Sequence, residues 1–122
     1  MTRHDGMVAI RHMYDHTVEV LEISAGRTRR DLDEDRVFSL VSIKLVEIIG
    51  EAATRVPPEI QATHGEIPWR QIVGTRNRLV HGYDAVDFDI LWRILSDELP
   101  LLLEKLQVIL SEETDTKGFA QE

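Results

Sequence analysis

The chain has 122 residues, a formal net charge of −8 at pH 7 and no cysteine. This length suits one domain with a single hydrophobic core. The lack of cysteine excludes a disulfide framework, a thiolate metal site and a cysteine nucleophile. No apolar run is long enough to span a bilayer and no signal peptide is visible, so we expect a cytoplasmic protein that does not associate with membranes.

The first half of the chain predicts two helices. Apolar residues at helical spacing indicate a first helix over residues 4–24, which Gly26 ends. The next helix continues to about residue 56, where two prolines stop it, and Asp33 or Asp35 can cap its start. Its predicted inward stripe consists of Val37, Val41, Leu45, Ile48 and Ala52. Between these helices, Arg27, Arg29 and Arg30 stand beside four acids, and we expect this cluster to neutralise itself.

The second half predicts at least two more helices. After a linker, Pro68 suits the first turn of a third helix that continues to about Val80 and is interrupted at Gly82. Asp87 can cap a fourth helix, which Pro100 must kink or restart. The expected fold is therefore an all-α, four- to five-helix up-and-down bundle over residues 1–110. Residues 111–122 are polar and are expected to form a disordered tail.

Arg76 is the anomaly in this pattern. It falls on the predicted inward stripe of the third helix, which consists of Trp69, Ile72, Val73, Leu79 and Val80. Burying an unpaired guanidinium would cost several kcal/mol, roughly 3–5. Arg76 therefore has a buried carboxylate partner, for which Glu51 is the preferred candidate, or it lines a cleft or an interface. Both possibilities are open at this point.

His81 and Tyr83 follow Arg76 closely. In an uninterrupted helix His81 would point away from Arg76, but Gly82 permits a turn that could bring the imidazole and the phenol back towards the guanidinium. Taken singly, a histidine at a helix end commonly caps the helix or faces solvent, and a tyrosine there commonly belongs to the core. The case for a functional site depends on the three residues together.

The stretch "TRNRLVHGY" resembles the signature of the HEPN superfamily, and more closely that of the HepT-type toxins. The matching residues are Arg76, Asn77, His81 and Tyr83. The resemblance extends from about Met7 to Leu110 and includes the segments "IIGEAATRV" and "ELPLLL". It implies a HEPN-like helical bundle.

The resemblance also implies a function. HepT-type proteins are metal-independent endoribonucleases that need no cofactor and form the toxin half of a toxin–antitoxin pair. On this likeness Arg76 and His81 would be catalytic, with Asn77 as a supporting polar residue. Tyr83 would be the residue to which an MntA-type nucleotidyltransferase antitoxin transfers AMP. The family forms homodimers in which the two motifs face each other. The RNA substrate could be mRNA or tRNA.

The chemistry is reasonable for these residue types. RNA carries its own nucleophile, the 2′-OH, so its cleavage needs no metal-bound hydroxide. Imidazole can accept or donate a proton near neutral pH, and a guanidinium can stabilise charge on the phosphorane. One motif provides one imidazole, whereas a symmetric dimer would provide two.

Three alternatives compete with this interpretation. The bundle could be a non-catalytic module that binds a nucleotide or docks a nucleotidyltransferase, or a structural dimer in which Arg76 pairs with Glu51. His12 and His16 have a spacing that suits two ligands of one metal, but they lie off the apolar stripe beside acids, which favours a solvated face.

The acidic net charge also predicts that RNA would bind through a narrow patch and with strong salt dependence.

Overall fold

The computed structural model describes the backbone of residues 3–80 and 85–120 and the side chains of residues 4–80 and 85–113. Within these ranges the chain is helical and contains no β-strand, so the prediction of an all-α fold is confirmed. The elements are α1 (Arg3–Ser24), α2 (Arg29–Glu34), α3 (Arg36–Thr54), α4 (Pro58–Thr63), α5 (Trp69–Val73), α6 (Thr75–Leu79), α7 (Phe88–Arg93), a π-helical turn (Ile94–Glu98) and α8 (Leu99–Ala120).

Helix α1 begins and ends close to the predicted positions. Its buried face includes Ile10, Met13 and Val20, together with one polar residue, Thr17. Burial of the Thr17 hydroxyl is tolerated because it donates a hydrogen bond to the Met13 carbonyl at 2.7 Å. After the helix, Gly26 adopts φ 76°, a left-handed conformation that glycine enters without steric cost.

The charged stretch between α1 and α3 contains helix α2, which the sequence did not predict. The expectation that its charges neutralise one another is confirmed by three ion pairs within the stretch: Arg27–Asp35, Arg29–Asp33 and Arg30–Glu34. Arg29 also binds Asp89 at 2.8 Å and thereby links α2 to α7. These arginines are therefore engaged with protein carboxylates.

Helix α3 starts where the sequence predicts, because the Asp35 carboxylate accepts a hydrogen bond from the Phe38 amide at 3.1 Å. Its predicted inward stripe is partly wrong, since Val37 is 71% exposed. The residues that face the core are Phe38, Ser39, Ser42, Leu45, Val46, Ile49, Gly50, Ala52 and Ala53. Apolar residues occur on more than one side of α3, so spacing alone could not select the buried side.

The predicted third helix is two short helices, α5 and α6, with a break at Gly74. The preceding segment, predicted as a linker, contains the short helix α4. Trp69 links the start of α5 to the end of α4, because its indole N–H donates hydrogen bonds to the carbonyl oxygens of Gln61 at 3.1 Å and His64 at 3.0 Å. Trp69 is 9% exposed and serves the core, as predicted.

The C-terminal part is one long helical stretch with a widened turn. Asp87 caps α7 as predicted, accepting hydrogen bonds from the amides of Asp89 and Ile90. A π-helical turn then precedes Pro100, which has no N–H to donate. Helix α8 is described as far as Ala120. The expectation of a disordered tail from Ser111 stays a prediction.

The core forms where α1 packs against α3 and α8, and α5 and α6 lie on α3. Ile10, Met13, Ile49 and Leu106 are among its fully buried side chains. None of the helices in the described part of the chain is both long and apolar enough to cross a membrane. The three long helices therefore provide the framework, and the short helices are attached to its surface.

The Asp35 cap predicts a pH dependence of stability. The Phe38 amide and then Arg27 lower the pKa of the Asp35 carboxyl below its ordinary value. Its stabilising effect should therefore be complete above that ordinary value and be lost as the pH falls through the lowered pKa of the folded protein. We expect Asp35→Ala to lower the melting temperature at neutral pH, measured by circular dichroism.

Asp35→Asn is the control for this prediction, because asparagine keeps a capping oxygen and removes the charge. It should melt closer to the parent than Asp35→Ala does, and the difference from the parent should shrink as the pH is lowered. Equal melting temperatures for the parent and Asp35→Ala across the pH range would contradict this role of the cap.

Candidate functional site

The orientation of α6 decides what its polar residues can do. Thr75 and Leu79 are 6% and 2% exposed, and they lie one turn apart on the buried side of this five-residue helix. The Thr75 hydroxyl donates to the Gln71 carbonyl at 3.1 Å, which satisfies it within the interior. Helix α6 packs against α3 and α7. Its opposite side is therefore turned outward.

Arg76 lies on one flank of α6, about 100° around the helix from Thr75. It is exposed, as are its predicted stripe neighbours Val73 (41%) and Val80 (44%). The prediction that Arg76 continues an inward stripe is therefore wrong. The reason is that Thr75, whose hydroxyl finds a partner on the preceding turn, takes the buried position, and the helix breaks at Gly74. Asn77 is exposed beside Arg76.

Arg76 lines an open cleft of about 330 Å³ between α3 and the α5–α6 segment. The α3 side contributes Lys44, Val46, Glu47, Ile48, Gly50, Glu51 and Thr54, and the other side adds Val73 and Thr75. We call this the α3–α6 cleft. Glu51 thus shares the cleft with Arg76 as the expected partner should, but within the described residues the two side chains form no ion pair. The guanidinium of Arg76 is available to an anion.

Gly50 sets the distance between the two walls of the cleft. A Cβ atom at this position would lie 3.0 Å from the Ile72 carbonyl oxygen, which is backbone of α5. Gly50, in the "IIGEAATRV" segment, allows this close approach between α3 and α5. The width of the cleft therefore depends on a residue without a side chain.

Arg78 points to a different neighbour from Arg76. Its Nη1 and Nη2 atoms donate to the two carboxylate oxygens of Glu98 at 2.9 and 2.6 Å. Both side chains are about one-quarter exposed. The hydrogen bonds to Glu98 raise the pKa of Arg78 above its ordinary value, although partial burial acts in the opposite direction. This bidentate pair joins α6 to the π-helical turn.

His81 and Tyr83 lie outside the described residues, so their expected convergence on Arg76 stays a prediction. The described positions on either side are close together. Val80 and Val86 form an isolated antiparallel bridge, and the Asp87 amide donates to the Leu79 carbonyl at 2.7 Å. The described residues on the two sides of positions 81–84 are therefore neighbours in space.

The other candidate residues take ordinary positions. His16 contacts Glu19 at 3.3 Å on a partly exposed surface, and His12 is exposed. Among the described residues, no group of three or more histidines and acids is placed to hold a metal ion. Trp92 is partly buried against the core.

Sequence reasoning missed four residues of this region. Lys44 and Glu47 line the cleft with Glu51, and their spacing of three and four residues on α3 was a signal that could have found them. The pair Arg78–Glu98 had no such signal, because its members are 20 residues apart in the sequence. A contact of that range depends on how α6 docks against the C-terminal helical stretch.

An all-α fold that presents an arginine to an open cleft fits the class of protein that the HEPN resemblance implies. The family model described as "Ribonuclease HepT-like" matches residues 13–109. The chain therefore belongs to the HepT-like ribonuclease family, a family of RNA-cleaving enzymes. The match covers every described residue of the α3–α6 cleft and both members of the Arg78–Glu98 pair.

Similar proteins carry ribonuclease names. A protein of Caldanaerobacter subterraneus subsp. tengcongensis, named as an RNase, is 31% identical over 104 residues, 85% of this chain and 93% of that protein. The "Probable ribonuclease HepT" of Thermococcus cleftensis is 36% identical over 93 residues, 73% and 84% of the two chains. A Methanocaldococcus jannaschii protein, also named as an RNase, is 23% identical over 109 residues, 89% of this chain and its full length. No solved structure gives a significant match.

Close packing at Gly50 gives a test of the cleft. Gly50→Ala should require α5 to shift by about a few tenths of an ångström, because the added methyl group would lie 3.0 Å from the backbone carbonyl oxygen of Ile72. Overpacking of this kind costs about 1–3 kcal/mol, which urea unfolding would measure. Gly65→Ala is the matched control, since its Cβ would have only an ordinary contact at 4.0 Å. Equal stability of the two variants would contradict the close approach.

Proposed function

We propose that this chain is a toxin endoribonuclease that cleaves RNA without a metal ion, with Arg76 and His81 as catalytic residues. One observation carries the proposal: Arg76 is exposed in the α3–α6 cleft and forms no ion pair with Glu51. An arginine in a structural bridge would be neutralised by its partner, whereas an available guanidinium can bind a phosphodiester. Membership of the HepT-like ribonuclease family supports the same activity.

The proposed reaction uses the nucleophile of the RNA itself. A base removes the proton of the 2′-OH, the 2′-oxygen attacks the adjacent phosphorus, and the bond to the 5′-oxygen breaks as an acid protonates that oxygen. His81 serves in proton transfer, and Arg76 stabilises the negative charge of the phosphorane. Asn77, exposed next to Arg76, supplies a supporting hydrogen bond.

We further propose that the active form is a homodimer in which two copies of the motif face each other. Two copies would supply two imidazoles, one for each proton transfer. The exposed side chains of Val37 and Leu40 on α3, and of Val73 and Val80 beside Arg76, support an interface near the site. A two-fold axis would place the same apolar surface of each subunit against its own copy.

Regulation in this proposal acts through Tyr83. An MntA-type nucleotidyltransferase antitoxin transfers AMP to the phenol oxygen, which places a bulky anion two residues from His81. The new phosphate would compete with RNA for Arg76 and would obstruct the cleft. The partners of the protein are thus RNA, a second copy of the chain and the antitoxin.

The net charge of −8 limits how RNA can bind. Residues 67–83 contain three arginines and no acid, but Arg78 is neutralised by Glu98. Arg76 and Lys44 are the cations of the cleft, and Glu47 and Glu51 lie in the same cleft. We therefore propose that only a short stretch of the phosphate backbone is contacted, with affinity that falls as salt increases.

The central test is RNA cleavage in EDTA. We expect the parent protein to cleave RNA, and Arg76→Ala to lower kcat by about 100- to 1,000-fold, as removal of a transition-state charge donor does. His81→Ala should lose activity similarly. Gel analysis of labelled RNA fragments provides the measurement. Arg70→Ala is the matched control, because Arg70 is also an exposed arginine but does not line the cleft.

Folding separates the possible outcomes. Arg76→Ala should keep the circular dichroism spectrum and melting temperature of the parent, because Arg76 is exposed. If Arg76→Ala unfolds, Arg76 has a structural role and the catalytic assignment is wrong. If the parent and both variants are folded, bind nucleotide equally and leave RNA intact, the chain is a binding module.

The regulatory part has its own test. Tyr83→Phe removes the hydroxyl that would accept AMP and should retain ribonuclease activity. Incubation with an MntA-type nucleotidyltransferase and ATP should add AMP to the parent, measured as a mass increase, and should inhibit it. The Tyr83→Phe variant should gain no mass and should stay active. Inhibition of this variant through nucleotide transfer would contradict the role of Tyr83.

A further inference from the structure

The Arg78–Glu98 pair holds α6 from the side opposite to its catalytic arginine. Residues two apart on an α-helix point about 200° apart, so Arg76 and Arg78 leave α6 in nearly opposite directions. Arg76 lines the α3–α6 cleft, and Arg78 reaches Glu98 on the π-helical turn. Two parallel hydrogen bonds, at 2.9 and 2.6 Å, fix both the position and the plane of the Arg78 guanidinium.

Helix α6 needs such an anchor because it is short. It has five residues, and a helix of this length is not stable through its own hydrogen bonds. The break at Gly74 separates it from α5, with which it keeps the hydrogen bond from the Thr75 hydroxyl to the Gln71 carbonyl. Thr75 and Leu79 attach one side to the core, and the ion pair attaches another. Together these contacts define the direction in which Arg76 points.

Glu98 is itself held firmly. It is the last residue of the π-helical turn, and its neighbour Leu99 and the nearby Leu95 are buried at 5% and 2% exposure. Its carboxylate is therefore at the edge of the core and is 24% exposed. Widened turns of this kind occur often at functional sites. Here the turn supplies the carboxylate that Arg78 binds.

We propose that Arg78 and Glu98 are positioning residues that fix the rotation of α6 and so aim Arg76 at the scissile phosphate. This inference rests on the proposed ribonuclease function. Neither residue needs to touch RNA, because both act through Arg76. Without the ion pair, Arg76 would still attract RNA, but its guanidinium would meet the phosphorane in the wrong geometry. The loss should therefore affect kcat more than KM.

The first measurement needs no enzymatic activity. Glu98→Gln keeps the size of the side chain and weakens the ion pair, and amide hydrogen exchange then reports on each helix. We expect faster exchange over residues 74–80, with α1 and α3 unchanged. Arg27→Gln is the matched control, because Arg27–Asp35 is an ion pair of similar exposure, 37% and 38%, that does not involve α6. It should leave residues 74–80 protected.

The second measurement is steady-state cleavage of RNA. Misplacing a catalytic group can lower the rate by about 100-fold, so we expect Glu98→Gln to reduce kcat by about 10- to 100-fold. KM should stay within about twofold of the parent, because ground-state binding is retained. The exchanged pair, Arg78→Glu with Glu98→Arg, should recover part of the lost kcat. Arg27→Gln should retain the parental kcat.

Each outcome has one meaning. Selective exchange in α6 together with a loss of kcat supports the proposal. A parental kcat in Glu98→Gln overturns the proposal, because the ion pair would then have no effect on catalysis. A loss of protection throughout the bundle also overturns it, because the ion pair would then stabilise the whole fold and not α6 in particular. Failure of the parent to cleave RNA is a different result, which removes the proposed function and the positioning role that rests on it.

Discussion

The site depends on how α6 is buried. Thr75 and Leu79 occupy the interior positions of this helix, and the Thr75 hydroxyl is satisfied by the Gln71 carbonyl. With those positions filled, Arg76 has to point outward into the α3–α6 cleft. The exposure of the guanidinium is thus a consequence of the core packing of the adjoining side of the helix. An arginine that faced inward would have required a buried carboxylate partner.

Among the described residues, several arginines are bound by protein carboxylates, whereas Arg76 lies exposed in the α3–α6 cleft. The arginines around α2 are bound by neighbouring acids, and Arg78 is bound by Glu98. The Gly50 approach and the framework of α1, α3 and α8 keep the cleft walls in place.

Local signals in the sequence predicted much of the fold. The caps at Asp35 and Asp87 and the turn at Gly26 were correctly identified, because each depends on contacts within a few residues. The buried sides of α3 and of the α5–α6 segment were partly wrong. Both helices carry apolar residues on several sides, and the buried side is selected by tertiary packing. The sequence singled out Arg76 as a candidate, but its orientation depended on that packing.

The sequence predicted some residues of the candidate site and missed others. The spacing of Arg76, His81 and Tyr83 identified the family, which the family match confirms. The positions of His81 and Tyr83 lie outside the described residues, and their roles remain predictions. Glu47 lies one helical turn before Glu51, which the sequence had already suggested as a partner of Arg76, and Lys44 lies about one turn before Glu47. The Arg78–Glu98 contact, in contrast, required the three-dimensional structure.

In the proposed function, Arg76 in the α3–α6 cleft receives the phosphate of RNA. The most direct measurement is a nuclear magnetic resonance titration with an RNA whose 2′-OH at the cleavage position is replaced by hydrogen, which prevents cleavage. We expect the Nε–Hε signal of Arg76 to shift when this RNA binds, together with the amide signals of α3 around Lys44 and Glu47. Shifts centred on the arginines of α2, with the Arg76 signal unchanged, would contradict it.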